Sequence, residues 1–399
     1  MSDVSLLQNA ASPYSLDDAY WACFRQTLHQ FPELSGEEHR TAQALASVIQ
    51  RWQPDEFLTG LGGIGEVEGT SMLAVFAGKE AGPTTLIRCE LDALPILELP
   101  QHPHASTIPG VAHLCGHDGH MTMVMALGNH LSQHRPAKGR VVLVFQSAEE
   151  TGAGAVAMVQ DPRLHPYQPD YAFALHNVPG MPLGKVKVKA GSFNCASRGM
   201  IIRLQGKTSH AAHPENGRSP AQAMASLIQG LEGLPKSLSG FNLVTLIHAN
   251  LGEIAFGTSP GEAVVMATLR TETNEAMDYL VAEAMAMAGA QAEQHGLAVE
   301  IEWQDVFRAS VNSEKGAELV VQSCESQGIE VEQPEVGFRW SEDFGIFTEW
   351  AKDGAMFALG SGEHCPQLHN PDYDFPDALI PVGAGIFLGI VQTLNGVAV

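Results

Sequence analysis

The sequence predicts a mixed, mostly parallel α/β sheet with helices on both faces, interrupted by a smaller inserted α+β domain. Three observations lead there. Short apolar runs alternate with stretches of helical period, the pattern of strands joined by crossover helices. Several runs end in acids or histidines: Thr84–Leu91 carries Glu90 at its end, Val141–Phe145 leads to Glu149 and Glu150, and Tyr171–Leu175 leads to His176. Open α/β sheets gather their chemistry at such strand ends. Near Gly184 the alternation changes character, and near Asn312 it resumes.

Leu16–Gln30 reads as an amphipathic helix with Trp21, Phe24 and Leu28 on one face, stopped by Phe31-Pro32. A second helix runs from about Gly36 to Trp52. Strands are expected at Ile64–Glu68, Ser71–Phe76 and Thr84–Leu91, then an irregular Pro- and His-rich loop over Glu98–Gly110. Cys115-Gly116-His117-Asp118-Gly119-His120 opens a helix reaching Gln133. Strand Arg140–Gln146, a helix after Gly154 and strand Tyr171–Leu175 follow. Within the insert, strands Lys185–Lys189 and Ser197–Leu204, helix Ser219–Glu232, strands Leu243–Ile254 and Glu262–Arg270, helix Asn274–His295 and strand Ala298–Val306 give a ferredoxin-like βαββαβ order. The α/β pattern resumes with strand Ala355–Leu359. The Gly-interrupted apolar stretch Ala378–Leu394 reads as a buried helix, not a membrane span. The expected domains are 1–184 and 312–399, forming one catalytic unit, and 185–311, the insert.

Composition limits the functions. The 399 residues suffice for two domains, and 45% hydrophobic with 17% charged residues is ordinary for a folded chain. A net charge of −23 and no basic stripe argue against nucleic-acid binding and against docking on anionic membrane. The polar start Met1–Tyr20 lacks the features of a secretory signal, and six cysteines without framework spacing predict reduced thiols and a cytoplasmic setting.

The chemistry concentrates in Cys115–His120, where a thiol, two imidazoles and a carboxylate fall within six residues. Such donors suit a transition-metal ion. Glu149 and Glu150 end a buried strand; where the chain turns there, one can bind metal while its neighbour faces water.

Together the motifs resemble the M20 family of metallopeptidases, in its amidohydrolase branch. That branch includes hydrolases of auxin conjugates, hippurate and N-acyl amino acids, and N-acetyldiaminopimelate deacetylases. The likeness rests on Arg25–Leu34, Leu91-Asp92-Ala93-Leu94-Pro95, Cys115-Gly116-His117-Asp118, Phe145–Glu150, His176, Gly206–His210, Glu342-Asp343-Phe344 and Leu368-His369, in register over nearly the whole chain. It implies a zinc-exopeptidase-like fold and two divalent cations, zinc or manganese, with cobalt or nickel open. Cys115, His117, Glu150, His176 and His369 match the family's ligands, and Glu149 its general base. His210 matches a histidine that reaches the partner's active site in dimers formed through the insert, which acts as lid. Asp92 and Asp118 are expected to fix histidine tautomers, and Arg270 is a candidate for a substrate carboxylate. Glu90 departs from the branch, which usually has Asp there, and Gly257-Thr258-Ser259-Pro260 departs from an Asn-containing turn.

Each residue has a plainer reading. Cys115 alone is more often a structural thiol, Glu149 a solvated acid, and His176 or His369 a merely hydrogen-bonded imidazole. His120 is expected to pack or support a ligand; His364 competes with His369; Arg270 could equally form a surface ion pair. The expected activity is metal-dependent hydrolysis of an N-acyl amino acid or related small conjugate. The alternatives are a dipeptidase or aminopeptidase, a Cys115-nucleophile hydrolase, and a non-catalytic metal-binding protein.

Overall fold

The computed structural model describes residues 17–65 and 68–396. Residues 1–16 of the polar start, including the expected helix start at Leu16, lie outside the described residues, as do Glu66 and Val67. The chain divides into two compact units. Among the described residues the first holds those up to Phe193, then Ser310–Gly337 and those from Asp343 onward; the second holds Asn194–Ala309 and Phe338–Glu342.

In the first unit an eight-stranded mixed sheet forms the centre. Its strands in chain order are β1 (Glu56–Leu61), β2 (Ser71–Ala77), β3 (Glu80–Glu90), β4 (Lys138–Gln146), β5 (Tyr171–Val178) and β6 (Val186–Lys187), completed by Val331–Glu332 and Asp353–Gly360. Four neighbours, β4, β3, β5 and Asp353–Gly360, run parallel. Glu90, Gln146 and His176 therefore lie at or near the same edge of the sheet. β2 and the apolar halves of β4 and β5 are buried without alternation, as expected for strands covered on both faces. Helix Leu379–Asn395 packs on helices His117–Gln133 and Glu314–Ser326, while Gly154–Gln160 packs on Gly345–Trp350. The C-terminal apolar stretch is thus a packed helix. Among the described residues no helix is long and apolar enough to cross a membrane.

The second unit is a four-stranded antiparallel sheet with two main helices. Its strands Ala196–Gln205, Asn242–Leu251, Glu262–Thr271 and Ala298–Phe307 lie in the spatial order second, third, first, fourth. That order, with helices Ala221–Leu231 and Asn274–His295 after the first and third strands, is the ferredoxin-like arrangement. The sheet's buried alternation, clearest in Glu262–Thr271, faces the helices' Leu227, Leu231, Leu280 and Ala284.

Three sequence expectations need correction. The strand expected at Ile64–Glu68 is not formed by its described residues; the edge strand is instead β1, whose glycine at 60 takes φ 68° and whose pairing with β2 is irregular, which hides its period. The segment Lys185–Phe193 lies in the first unit because Val186 and Lys187 pair with Leu359, Ala358, Val331 and Glu332. Phe338–Glu342 joins the second unit, where Phe338 bridges Asn194 and Cys195 N–H donates to Trp340 O at 3.1 Å.

Candidate metal centre

Cys115 ends the loop before helix His117–Gln133. Between it and His117, Gly116 takes φ 91°, and a Cβ there would stand 2.4 Å from Asn177 Oδ1. Glycine is therefore required twice, for its backbone and for its lack of side chain. This turn places Cys115 Sγ 3.4 Å from His176 Nε2, at the end of β5. The potential donor atoms of Cys115, His117 and His176 all lie within 4.8 Å of one another, and so do those of Cys115, Glu150 and His369. Two donor sets thus share one sulfur. His117, Glu149 and Glu150 form a further such group. The five residues expected as ligands, scattered over 255 positions, converge in the first unit.

The histidines are aimed from behind. His117 Nδ1 lies 2.9 Å from the Asp92 carbonyl oxygen and so donates to it, with Asp92 Oδ1 at 3.3 Å. Its Nε2 faces Glu149 Oε2 at 3.8 Å and Glu150 Oε1 at 3.9 Å, and it is buried without a hydrogen-bond partner. His176 Nδ1 donates to the Asn177 carbonyl at 2.8 Å, which turns Nε2 towards the sulfur. His369 Nε2 is 3.8 Å from Glu150 Oε1, and its backbone N–H donates to Leu114 O at 2.8 Å. His369 is held at φ 65°, a left-handed conformation unusual for a residue with a Cβ.

Ala148, also left-handed at φ 51°, makes the turn that lets the adjacent Glu149 and Glu150 share the site. Buried Glu38 fixes that turn: its carboxylate accepts from Ala148 N at 2.8 Å, Gly36 N at 2.8 Å and Thr70 Oγ1 at 2.6 Å. Asp92 Oδ2 accepts from Glu150 N at 2.9 Å and Ser35 Oγ at 2.7 Å. One buried residue thus orients a histidine through its backbone carbonyl and a glutamate through its carboxylate.

The electrostatics agree with a cation cradle. Burial opposes charge on His117, yet the hydrogen bond to Asp92 and the carboxylates of Glu90, Asp92 and Glu150 push it up to about 10. Burial, with His120 nearby, lowers His176 well below the usual range, and burial with His117 lowers His369. These latter two are neutral donors, the form that binds metal. A buried nitrogen without a partner costs about 1–3 kcal/mol, and a cation at His117 Nε2 removes that penalty. Soft sulfur, imidazole and carboxylate fit a pair of divalent transition ions.

Behind the cradle lies a network that motif reading did not assign. Arg88 bonds Glu90, Gln146 Oε1 at 2.8 Å and Asp343 Oδ1 at 2.6 Å. Glu90 Oε2 is 2.8 Å from His120 Nδ1, and His120 Nε2 is 2.7 Å from Asn177 Oδ1. Burial opposes ionisation of Glu90, but Arg88 and His120 hold its carboxyl well below the usual range. His120 therefore packs with both nitrogens engaged. The signal available in sequence was a charged residue, Arg88, directly after Leu86 and Ile87 in the buried half of its strand. Asp118 differs from expectation: it engages His29 Nδ1 at 2.8 Å and Arg25 Nη1 at 3.3 Å, not a cradle histidine.

His210 and Arg270 belong to the second unit. His210 lies on a two-residue strand paired with Thr258, exposed, and its Nδ1 accepts from Ala212 N at 3.1 Å, so Nε2 carries the proton. Arg270 Nη1 donates to Arg339 O at 2.8 Å and Ser341 Oγ at 2.7 Å.

The family model for "Peptidase family M20/M25/M40" matches residues 86–393. The chain belongs to that family. It is a metal-dependent hydrolase acting on amide bonds. Among its relatives is an N-acetylcysteine deacetylase of Bacillus subtilis, 30% identical over 378 residues, covering 91% of this chain and 93% of the relative. An N-acetyldiaminopimelate deacetylase of Leuconostoc mesenteroides is 28% identical over 373 residues, covering 90% and 93%. The structure is similar to that of the Bacillus subtilis YXEP protein, described as a dinuclear metal binding peptidase from the M20 family. The TM-score is 0.79 at 25% identity, covering 94% of this chain and 98% of that one.

Proposed function

We propose that this M20 hydrolase cleaves the amide bond of N-acyl amino acids or similar small conjugates, with water as nucleophile and Glu149 as general base. The observation that carries the reading is the pair of donor sets sharing Cys115, with Glu149 Oε2 3.8 Å from His117 Nε2. Cys115, His117, Glu150, His176 and His369 would hold two divalent cations, zinc or manganese in the first instance. Bound there, the cations supply Lewis acidity, polarising the scissile carbonyl and acidifying water.

The protein's own groups do the rest. Glu149 is buried, so its carboxylate is poorly hydrated and suited to accept the proton of the attacking water. It then returns that proton to the departing amine nitrogen, without which the amine leaves as a poor anion. Asp92 keeps His117 in the tautomer that presents Nε2 and anchors Glu150 through its backbone. His210, with its proton on Nε2, is the donor we assign to the developing oxyanion, supplied across a homodimer formed by the second unit acting as lid. Arg270 is the candidate for the substrate carboxylate. The deacetylase relatives support an acylated amino acid as substrate, and reduced cysteines fit a cytoplasmic setting.

Glu149→Gln tests the reading. It should keep metal content and thermal stability while lowering kcat by at least about 100-fold, the usual span for a lost general base. Activity at the wild-type level would sink the assignment. A panel of acetyl, benzoyl, indolylacetyl and succinyl amino acids, scored for free amine, identifies the substrate.

A further inference from the structure

We propose that His29, Glu98, His102 and Asp374 form a third cation site in the first unit, separate from the cradle, which takes a borderline transition ion such as Zn²⁺. The potential donor atoms of His29, His102 and Asp374 lie within 4.8 Å of one another. Glu98 Oε1 is 3.0 Å from His29 Nε2 and 3.0 Å from His102 Nε2. Around a tetrahedral ion with bonds of about 2.0–2.1 Å, neighbouring donors stand roughly 3.3 Å apart. The separations of Glu98 from the two histidines are close to that value.

His29 and Glu98 are oriented as metal ligands usually are, while Asp374 Oδ1 accepts from Arg25 Nη1 at 2.6 Å and its Oδ2 lies 3.0 Å from His104 Nε2. His29 Nδ1 is held by Asp118 Oδ2 at 2.8 Å, which turns Nε2 to the cluster; a carboxylate behind a histidine is the common support of a metal-bound imidazole. Glu98 Oε2 accepts from Ser106 N at 2.6 Å, leaving Oε1 to face both rings. His102 stacks on His104 at 3.9 Å between centroids, and its Nδ1 is buried without a hydrogen-bond partner.

Charge points the same way. Asp118, Asp374 and Asp377 pair with the single guanidinium of Arg25, and Glu98 pairs with His29, so four carboxylates meet one fixed positive charge. A proton on His29 still leaves two negative charges in excess; a divalent ion in place of that proton leaves one. The site would tie together helix Asp18–Gln30, the Pro- and His-rich loop that leads to Cys115, and the segment just after His369. It is thus a clamp on two of the chain segments that carry cradle ligands, made from side chains the cradle does not use.

The test counts metal. Wild type, His102→Ala and Glu98→Gln are stripped with chelator, loaded with Zn²⁺, desalted and measured by elemental analysis. His248→Ala, on an exposed residue of the second unit, serves as control. Cradle loading is followed separately with Co²⁺ by the thiolate-to-metal absorption that Cys115 would give. The proposal expects both variants to lose about one Zn²⁺ per chain while the thiolate band and the control's count stay at wild-type level. Equal Zn²⁺ counts in wild type and His102→Ala overturn it. The two readings fail separately, because a missing thiolate band in wild type condemns the cradle and leaves the count at His102 to decide the clamp. His102 sits on an irregular loop with its side chain 18% exposed, and Glu98→Gln preserves shape, so loss of the fold would be seen as loss of the thiolate band as well.

Discussion

Asp92→Asn changes one atom of the cradle and leaves its shape. In the native site Oδ2 accepts from Ser35 Oγ and Glu150 N, while Oδ1 faces His117 Nδ1, which donates to the Asp92 carbonyl. The asparagine oxygen must stay with Ser35 and Glu150, or two donors lose their acceptor. Its NH₂ then points at His117 Nδ1–H, donor against donor, in a site with no exposure. A buried donor left unsatisfied costs about 1–3 kcal/mol. At about 1.4 kcal/mol per factor of ten, that is roughly 5- to 150-fold in metal affinity, in line with the 10–100-fold typical of lost support behind a metal ligand. The alternative, inverting the His117 tautomer, puts the proton on Nε2, where it blocks the ligand position, so affinity falls by either route. The assay is Zn²⁺ competition against a chromophoric chelator, with kcat/KM measured at saturating metal. Wild-type affinity in Asp92→Asn would refute a role for the Asp92 carboxylate in positioning His117 and leave that role to the Asp92 backbone carbonyl, which the variant keeps.

Gly116→Ala should be more damaging than its size suggests: a left-handed alanine costs about 1–2 kcal/mol, and its Cβ would meet Asn177 Oδ1 at 2.4 Å, so a lower Tm together with weaker metal binding is expected, and an unchanged Tm would contradict the close approach. Mixed dimers of His210→Ala with Glu149→Gln subunits should regain part of the activity that each homodimer lacks; verified mixed dimers without recovery would exclude action across the dimer. In metal-free protein His29, raised to about 9 by Asp118 and Glu98 against the effect of burial, binds its proton more tightly folded than unfolded. Its contribution, about 3 kcal/mol for a shift from 6.5 to about 9, should be full below pH 6.5 and vanish as pH rises through 9. Urea unfolding of wild type and His29→Gln at pH 6 and pH 9.5 checks this, and a stability gap independent of pH would refute it.

The sheet and the cradle were legible because their signals are local. Buried parallel strands read as unbroken apolar runs, and ligands at strand ends stand out as acids and histidines after such runs. Four particulars were hidden. β1 lacks a clean period because its glycine-bearing end pairs irregularly with β2. Val186–Lys187 is too short to reveal that it belongs to the large sheet. Glu38 looks like any acid near a helix start, yet holds the Ala148 turn through a contact 110 residues away. The same distance problem hid the partners of Asp118: its place next to His117 suggested a role at the cradle, whereas its carboxylate turns the other way, towards Arg25 and His29.

The left-handed residues explain why so compact a motif set can be read from sequence while its geometry cannot. Neither Ala148 nor His369 announces a positive φ, since both carry a Cβ that disfavours it. Each conformation costs on the order of 1–3 kcal/mol and persists only because neighbours impose it: Glu38 grips the Ala148 amide, and Leu114 receives the His369 amide. Those two amides place Glu149, Glu150 and the His369 ring around Cys115. The strain therefore sits where the donor sets meet, and relieving it should move the ligands rather than steady them. Ala148→Gly makes the point measurable: glycine adopts φ 51° freely, so the variant should fold at least as stably if Glu38 still holds the turn, while a fall in Zn²⁺ affinity would show that the Cβ of Ala148, and not its backbone alone, helps position Glu149 and Glu150. Unchanged affinity would assign the whole of that placement to the Glu38 hydrogen bond, and Glu38→Gln, which gives up the charge on the acceptor, should then weaken Zn²⁺ binding where Ala148→Gly does not.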